Sequence, residues 1–243
     1  MKAIILAAGV NLRLNNYIDI PKCLLPLKKG TILGNQLMAL TKAGLKHDDI
    51  LVVVGHKPEM IQKVHKNTLF NPKFADFDNG YSVYLALQHL LHEKNLPDNE
   101  QILILDGDLV FDDDLINKIH ALNKENILVN KPVKYNKELK DETSIVDSQG
   151  KILKIFIPSK QNPLNPAYSN TPLHSFTGIM KISKDVAFQL YEKLKNSYEK
   201  WYTLPLPELV LANDFYSFEI PKDLKYCFDV DTKEDLDKLS NIK

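Results

Sequence analysis

The chain predicts an α/β fold: a mainly parallel sheet with helices on both faces. Three observations carry this expectation. Short apolar runs, rich in branched residues, end in small or acidic residues. Stretches with helical apolar spacing lie between them. The alternation of strand and helix runs through the first half of the chain.

Taken in order, Lys2 to Leu6 reads as a buried strand, stopped by Ala7, Ala8 and Gly9. Leu33 to Ala43 has helical spacing and ends at Gly44, a good stop signal. Ile50 to Val54 is a second buried strand, Pro58 to His65 a helix, and Ser82 to His92 another helix. Ile102 to Leu105 is a third strand, followed at once by Asp106-Gly107-Asp108, and Leu115 to Leu122 is a helix. After about Asn126 the rhythm changes. Ile127–Val129, Ser144–Val146, Ile152–Ile157 and Ser175–Ile182 read as short strands. SKQNPLNPAYSNTP between two of them reads as a long loop, a common place for function. Helices return at Lys184–Leu194, Pro205–Leu211 and Lys233–Leu239. The expected organisation is one domain over residues 1–243, with a nucleotide-binding half at 1–125 and an acceptor-binding half at 126–243.

Composition excludes several classes. The 243 residues carry a formal net charge of +0, so no basic field argues for nucleic acid. No apolar run is long enough to span a bilayer. The apolar start is broken by Gly9, Asn11 and Arg13, too early for a signal peptide. Cys23 and Cys227 lie far apart and form no metal-type spacing, as reduced thiols of a cytoplasmic protein would.

The chemistry concentrates at strand ends. A strand that stops in small residues delivers backbone N–H groups to the carboxyl edge of a sheet, where ligands bind in open α/β folds. Leu6, Ala7, Ala8 and Gly9 would allow close approach of phosphate to the main chain. Arg13 is the one arginine among 31 Lys and Arg residues. Its planar fork grips phosphate bidentately, which lysine cannot imitate. Asp106 and Asp108 place carboxylates at the end of the third strand. In a strand, Asp229 and Asp231 would turn to one face and could share a cation. Thr232 with Asp235 reads as a capping box for the last helix, Asp112 to Asp114 as a cap for the Leu115 helix, and Ser82 as a helix N-cap. Trp201 and Tyr202 could hold an ammonium by cation–π contact, although most such pairs are packing. Lys154 and Lys160 read as surface lysines near the mixed strands.

Leu6-Ala7-Ala8-Gly9, then Arg13, then Pro21-Lys22, resembles the LAAGxGxR…PK signature of the nucleotidyltransferase superfamily. One departure stands inside it: Asn11 replaces the second glycine. Asn is the non-glycine residue most tolerant of left-handed backbone. The stretch from Phe70 to Ala86, with Asn79 and Ser82, resembles the segment of the small-molecule cytidylyltransferase branch, such as phosphocholine and 2-aminoethylphosphonate cytidylyltransferases. Cys227 to Leu236 resembles that superfamily's closing acidic motif. The resemblance implies a Rossmann-like, GT-A-type sheet with a small mixed-strand acceptor lobe. It implies Mg2+-dependent transfer of CMP from CTP to a small phosphorylated or phosphonylated acceptor, with release of pyrophosphate, for cell-surface polysaccharide or lipid decoration. It assigns Arg13 and Lys22 to catalysis. Leu6, Ala7, Ala8, Gly9, Asn11, Asn79, Ser82 and Asp106 go to the nucleotide, and Asp108, Asp229 and Asp231 to the metal. The partners would be CTP and the acceptor, with neither nucleic acid nor membrane; a homo-oligomer is left open. The alternatives are a sugar-1-phosphate nucleotidyltransferase using UTP or dTTP, a glycosyltransferase for which Asp106-Gly107-Asp108 is the metal motif, and a non-catalytic nucleotide-binding protein.

Overall fold

The computed structural model describes residues 1–10, 14, 17–93, 96–136, 138–159, 162–224 and 226–240. Asn11, Arg13 and Lys160 lie outside them. Among the described residues eleven strands form: β1 (Lys2–Ala7), β2 (Ile50–Val54), β3 (Thr68–Phe70), β4 (Gln101–Asp106), β5 (Leu109–Phe111), β6 (Ile127–Val133), β7 (Thr143–Val146), β8 (Ile152–Phe156), β9 (Leu173–Ser183), β10 (Tyr216–Glu219) and β11 (Cys227–Asp229). The α-helices are α1 (Ile32–Lys42), α2 (Pro58–Gln62), α3 (Asn79–Gln88), α4 (Leu115–His120), α5 (Lys184–Leu194), α6 (Leu206–Ala212) and α7 (Lys233–Ser240).

The main sheet has nine strands, with the path β10-β6-β9-β4-β1-β2-β3 and the β7–β8 hairpin added at β9. β1 pairs in parallel with β2 and β4, β2 with β3, and β6 with β10. β9 runs against its neighbours β4 and β6, and β7 is antiparallel to both β8 and β9. The α/β expectation is borne out, including its mainly parallel sheet and the mixed strands of the second half.

Alternation along the strands divides the core in two. Ile4, Leu51, Val53, Ile102, Ile104, Met180 and Ile182 face α3, α5 and α6. Ala3, Ile5, Ile50, Val52, Leu103, Leu105 and Ile179 face α1 and α4. A third cluster joins Leu14, Leu25 and Ile32 to Val110, Val230 and Leu239. Leu14 therefore shares a cluster with Val230, just past β11, and Leu239 of α7. Both cysteines are free, and burial pushes each thiol up to about 12. Among the described residues no helix is long and apolar enough to cross a membrane.

Two cap expectations are corrected. α3 begins at Asn79, not Ser82, with Asp78 at its N-cap position. Ser82 lies in the first turn, buried, where its hydroxyl accepts from Asn71 Nδ2 at 2.9 Å. The reason is that backbone carbonyls from after α5 satisfy the start of the helix: Asp78 and Gly80 donate their N–H groups to Glu199 and Lys200. At α4 the Asp114 side chain caps nothing; Asp112 Oδ1 instead accepts the Asp114 amide at 3.2 Å. The Thr232–Asp235 box is present as expected, with reciprocal bonds of 3.0 and 3.3 Å.

A buried histidine, paired with an exposed one, gives a pH dependence. His65 Nε2 faces Ile50 O at 2.9 Å, and a carbonyl only accepts, so Nε2 carries the proton. His65 Nδ1 then accepts from His47 Nδ1 at 3.1 Å. Burial lowers the His65 pKa; the bond to Ile50 opposes this, and His47 adds to it. A depressed imidazole binds its proton more readily unfolded than folded. Its contribution is complete above the ordinary value of about 6.5 and is lost as pH falls below it. The melting temperature should drop between pH 7 and pH 5.5, and His65→Gln should flatten that drop. Parallel curves for the two proteins would remove His65 from the account.

Candidate active site

The parallel strands β1, β2 and β4 present their carboxyl ends together, and the expected loop lies there. Ala7 and Ala8 are buried and Gly9 is exposed. A Cβ placed on Gly9 would meet nothing within 4 Å, so the loop face is open. The neighbouring strand ends press close. His56 donates to Ala8 O, and Gly107 to Leu6 O at 2.9 Å. A Cβ at Gly107 would stand 2.5 Å from Leu6 O, which explains the glycine between the two acids.

Asp106, half-buried at the end of β4, packs against Gly178 in β9. A side chain there would come within 2.5 Å of Asp106 Oδ2, and the backbone of Gly178 has φ +84. Burial pushes the Asp106 carboxyl well above the usual carboxylate range. Asp108, Glu142, Asp229 and Asp231 push in the same direction. The turn that follows is held by α1: Gln36 Nε2 donates to Asp106 O at 3.0 Å and Leu109 O at 2.9 Å, and Asn35 Nδ2 donates to Phe111 O at 2.9 Å. These positioning amides are absent from the sequence expectations. Their signal was two amides on the apolar face of α1.

Lys22 stands in a 3-10 turn, Lys22–Leu24, entered from Pro21. Its ammonium lies 3.1 Å from Asp108 Oδ2 and 2.5 Å from Asp231 Oδ1. Burial alone would pull its pKa down, but Asp108 and Asp231 outweigh it and the pKa is raised. Asp231 lies beyond β11 rather than within it. Its position is fixed by Val230, which donates to Asp108 O, and by Asp235 Oδ2, which accepts the amides of Asp231 and Thr232. Burial opposes ionisation of Asp235, yet hydrogen bonds from Lys238, Thr232 and the two amides hold its pKa down at about 2. Asp229 ends β11, antiparallel to Leu109. Desolvation raises its pKa against its own backbone hydrogen bond; Asp231 and Asp108 add to the rise and Lys131 opposes it.

Lys22, Asp108 and Asp231 are thus brought into contact, with Asp229 and Asp106 within electrostatic reach. Among the described residues no three His, Cys, Asp or Glu side chains form a ready-made metal cage. Asn79 is the first residue of α3. Its Oδ1 accepts the Tyr202 amide at 3.2 Å, while the Tyr202 hydroxyl is buried without a partner among the described residues. Burial pushes the Tyr202 phenol well up, and Asp106, Glu142 and Asp108 add to that. Thr203 Oγ1 donates to Glu142 at 2.5 Å. Ser82 is not brought to the edge; its hydroxyl points into the core. Trp201 is 49% exposed, and Lys154 lies over Phe156 and Tyr168 at 4.9 and 5.9 Å.

Comparison with known proteins agrees with the resemblance to the cytidylyltransferase branch. Over 95 residues the chain is 36% identical to a choline-phosphate cytidylyltransferase of Streptococcus pneumoniae (strain ATCC BAA-255 / R6). That match spans 37% of this chain and 41% of the relative's length. The fold is shared with solved structures at low identity. CTP:phosphocholine cytidylyltransferase from Streptococcus pneumoniae (LicC) superposes with a TM-score of 0.73 at 20% identity, covering 99% of this chain and 97% of that one. The inositol-1-phosphate CTP transferase from T. maritima gives 0.68 at 18%, covering 98% and 95%. A putative glucose-1-phosphate thymidylyltransferase from Bacillus anthracis gives 0.70 at 16%, covering 99% and 94%. Residues 31–198, well over half of the chain, match the model of the family described as Domain of unknown function (DUF6564), and the chain belongs to that family.

Proposed function

We propose that this chain is a cytidylyltransferase: it transfers CMP from CTP to a small acceptor bearing a phosphate or phosphonate. The observation that carries the reading is the contact of Lys22 with Asp108 and Asp231 beside the open Ala7-Ala8-Gly9 loop. An acceptor oxygen would attack the α-phosphorus, the bond from that phosphorus to the bridging oxygen would break, and pyrophosphate would leave. Such a reaction is mostly positioning and neutralisation of charge. The loop amides and Arg13 would hold the triphosphate, and Lys22 would meet charge developing on the α-phosphate. The donor set fits Mg2+. Asp108 and Asp231, with Asp229 beside them, are hard oxygen ligands whose mutual repulsion a cation would relieve. Mg2+ commonly takes one or two carboxylates plus substrate phosphates rather than an all-protein cage. When bound, it would neutralise phosphate charge. Residues 1–125 would carry the nucleotide and residues 126–243 the acceptor.

Asn79 supplies the base preference. Its oxygen is occupied by the Tyr202 amide, so it offers N–H donors to a base edge. Cytosine presents an unprotonated ring nitrogen to a donor, where uracil presents another N–H. A mismatched buried donor costs about 1–3 kcal/mol, roughly a tenfold to hundredfold preference. Pyrophosphate release measured with CTP, UTP, dTTP, ATP and GTP should favour CTP by that factor. Acceptors to pair with them are phosphocholine, 2-aminoethylphosphonate, inositol 1-phosphate and glucose 1-phosphate. A clear preference for UTP or dTTP with glucose 1-phosphate would replace this reading with a sugar-1-phosphate nucleotidyltransferase.

A further inference from the structure

We propose that Lys22 is a built-in counter-ion that holds Asp108 and Asp231 against a divalent cation until nucleotide phosphates draw its ammonium away, so that cation and nucleotide are taken up together. The inference rests on the reading of Asp108 and Asp231 as metal carboxylates.

The geometry is specific. One ammonium reaches both carboxylates, at 3.1 and 2.5 Å, across 86 and 209 residues of sequence. The Lys22 side chain is only 13% exposed, and those of Asp108 and Asp231 are 25% and 20% exposed, so water screens the pairs weakly. The stem is also fixed. Leu24 donates to Pro21 O and Leu25 to Lys22 O, while Cys23 and Leu25 are buried. The ammonium is therefore aimed at the acids rather than sweeping through solvent as most surface lysines do.

Two costs would oppose a bare divalent cation at these carboxylates. Mg2+ gives up its water reluctantly. It must also evict an ammonium that then stands half-buried with no anion, and breaking a shielded ion pair by removing one partner is strongly unfavourable. Nucleotide phosphates remove the second cost, because they offer Lys22 an equivalent anion. As Lys22 moves to them, both acids are released together. The same lysine then serves two posts in turn: guard of the carboxylates, and cation for the transferred phosphate.

The test reads cation binding directly, with Mn2+ alone as the probe and free Mn2+ followed by electron paramagnetic resonance or calorimetry. Lys22→Met in the full chain should bind Mn2+ about tenfold more tightly than the unaltered protein when no nucleotide is present. Adding Asp231→Asn to Lys22→Met should abolish the gain. In the unaltered protein, CTP should raise Mn2+ affinity; in Lys22→Met the same addition should raise it much less. Lys22→Gln, with a shorter polar side chain, repeats the comparison if the methionine variant folds poorly. Equal or weaker Mn2+ binding by both variants would overturn the guard role. The metal reading would survive that result if Asp231→Asn still weakened Mn2+ binding in the presence of CTP. If Asp108→Asn and Asp231→Asn changed Mn2+ binding neither with CTP nor without it, the metal reading would fall, and the guard role with it.

Discussion

Asp108→Asn and Asp231→Asn should each lower kcat/KM for CTP by roughly a hundredfold to a thousandfold, the range for losing one preorganised charge-stabilising group. The unfolding free energy should stay within about 1 kcal/mol of that of the unaltered protein, because each variant leaves Lys22 one carboxylate partner. The two effects separate for a physical reason. Asp106, Asp108, Asp229 and Asp231 crowd negative charge together; burial raises the Asp106 and Asp229 carboxyls most, and their acidic neighbours add to the rise. Removing one charge relieves repulsion, and Lys22 keeps its other carboxylate. What is lost is the concentration of negative charge that a cation and a triphosphate require. Pyrophosphate release and urea denaturation on the same preparations check both halves. A loss of activity that merely tracks unfolding would make these acids structural.

The second large effect is expected at Gly80. Its N–H donates to Lys200 O at 2.8 Å, and the chain after α5 lies against it. A Cβ there would stand 2.2 Å from Lys200 O and 2.9 Å from Tyr198 O. Both obstacles are backbone, so neither can rotate aside. Gly80→Ala should cost about 3 kcal/mol, the upper end for overpacking. It should also raise KM for CTP, because displacing the chain at Lys200 carries Tyr202 away from Asn79. Gly9→Ala is the control: nothing stands within 4 Å of its Cβ, so stability should be unchanged. A denaturation midpoint for Gly80→Ala equal to that of Gly9→Ala would contradict the packing argument.

Local chemistry made much of this legible. α5 runs from Lys184 to Leu194 as its apolar spacing indicates, with Ser183 capping Val186 N. Gly44 closes the α1 turn with φ +93 as a stop glycine should. Asp108 stands just past a strand end, and Thr232 and Asp235 cap α7. What the sequence does not carry is pairing across long distances. Nothing in Leu173–Ser183 says that it inserts, antiparallel, between β4 and β6. β3, β5 and β10 are too short to announce themselves and form because a neighbour offers an edge. The inward turn of Ser82 is equally hidden. Ser is a good cap in isolation, but carbonyls from Glu199 and Lys200 reach the helix start first. Gln36 would pass for an ordinary helix residue until the Asp106 and Leu109 carbonyls are seen beneath it.

The acidic centre joins Lys22 to a residue 209 positions later, and this sets an order of events during synthesis. Every strand of the nine-stranded sheet has been made once Glu219 emerges from the ribosome. β11 and Asp231 come afterwards, and with them the apolar contacts that Val230 and Leu239 make with Leu14. A nascent chain halted between those points could assemble its sheet around two hydrophobic faces and still hold Lys22 and Asp108 without their third member. A ribosome that stalls or terminates early in that interval would therefore release a folded but inert product, and assays for intact fold would not distinguish it from the finished molecule.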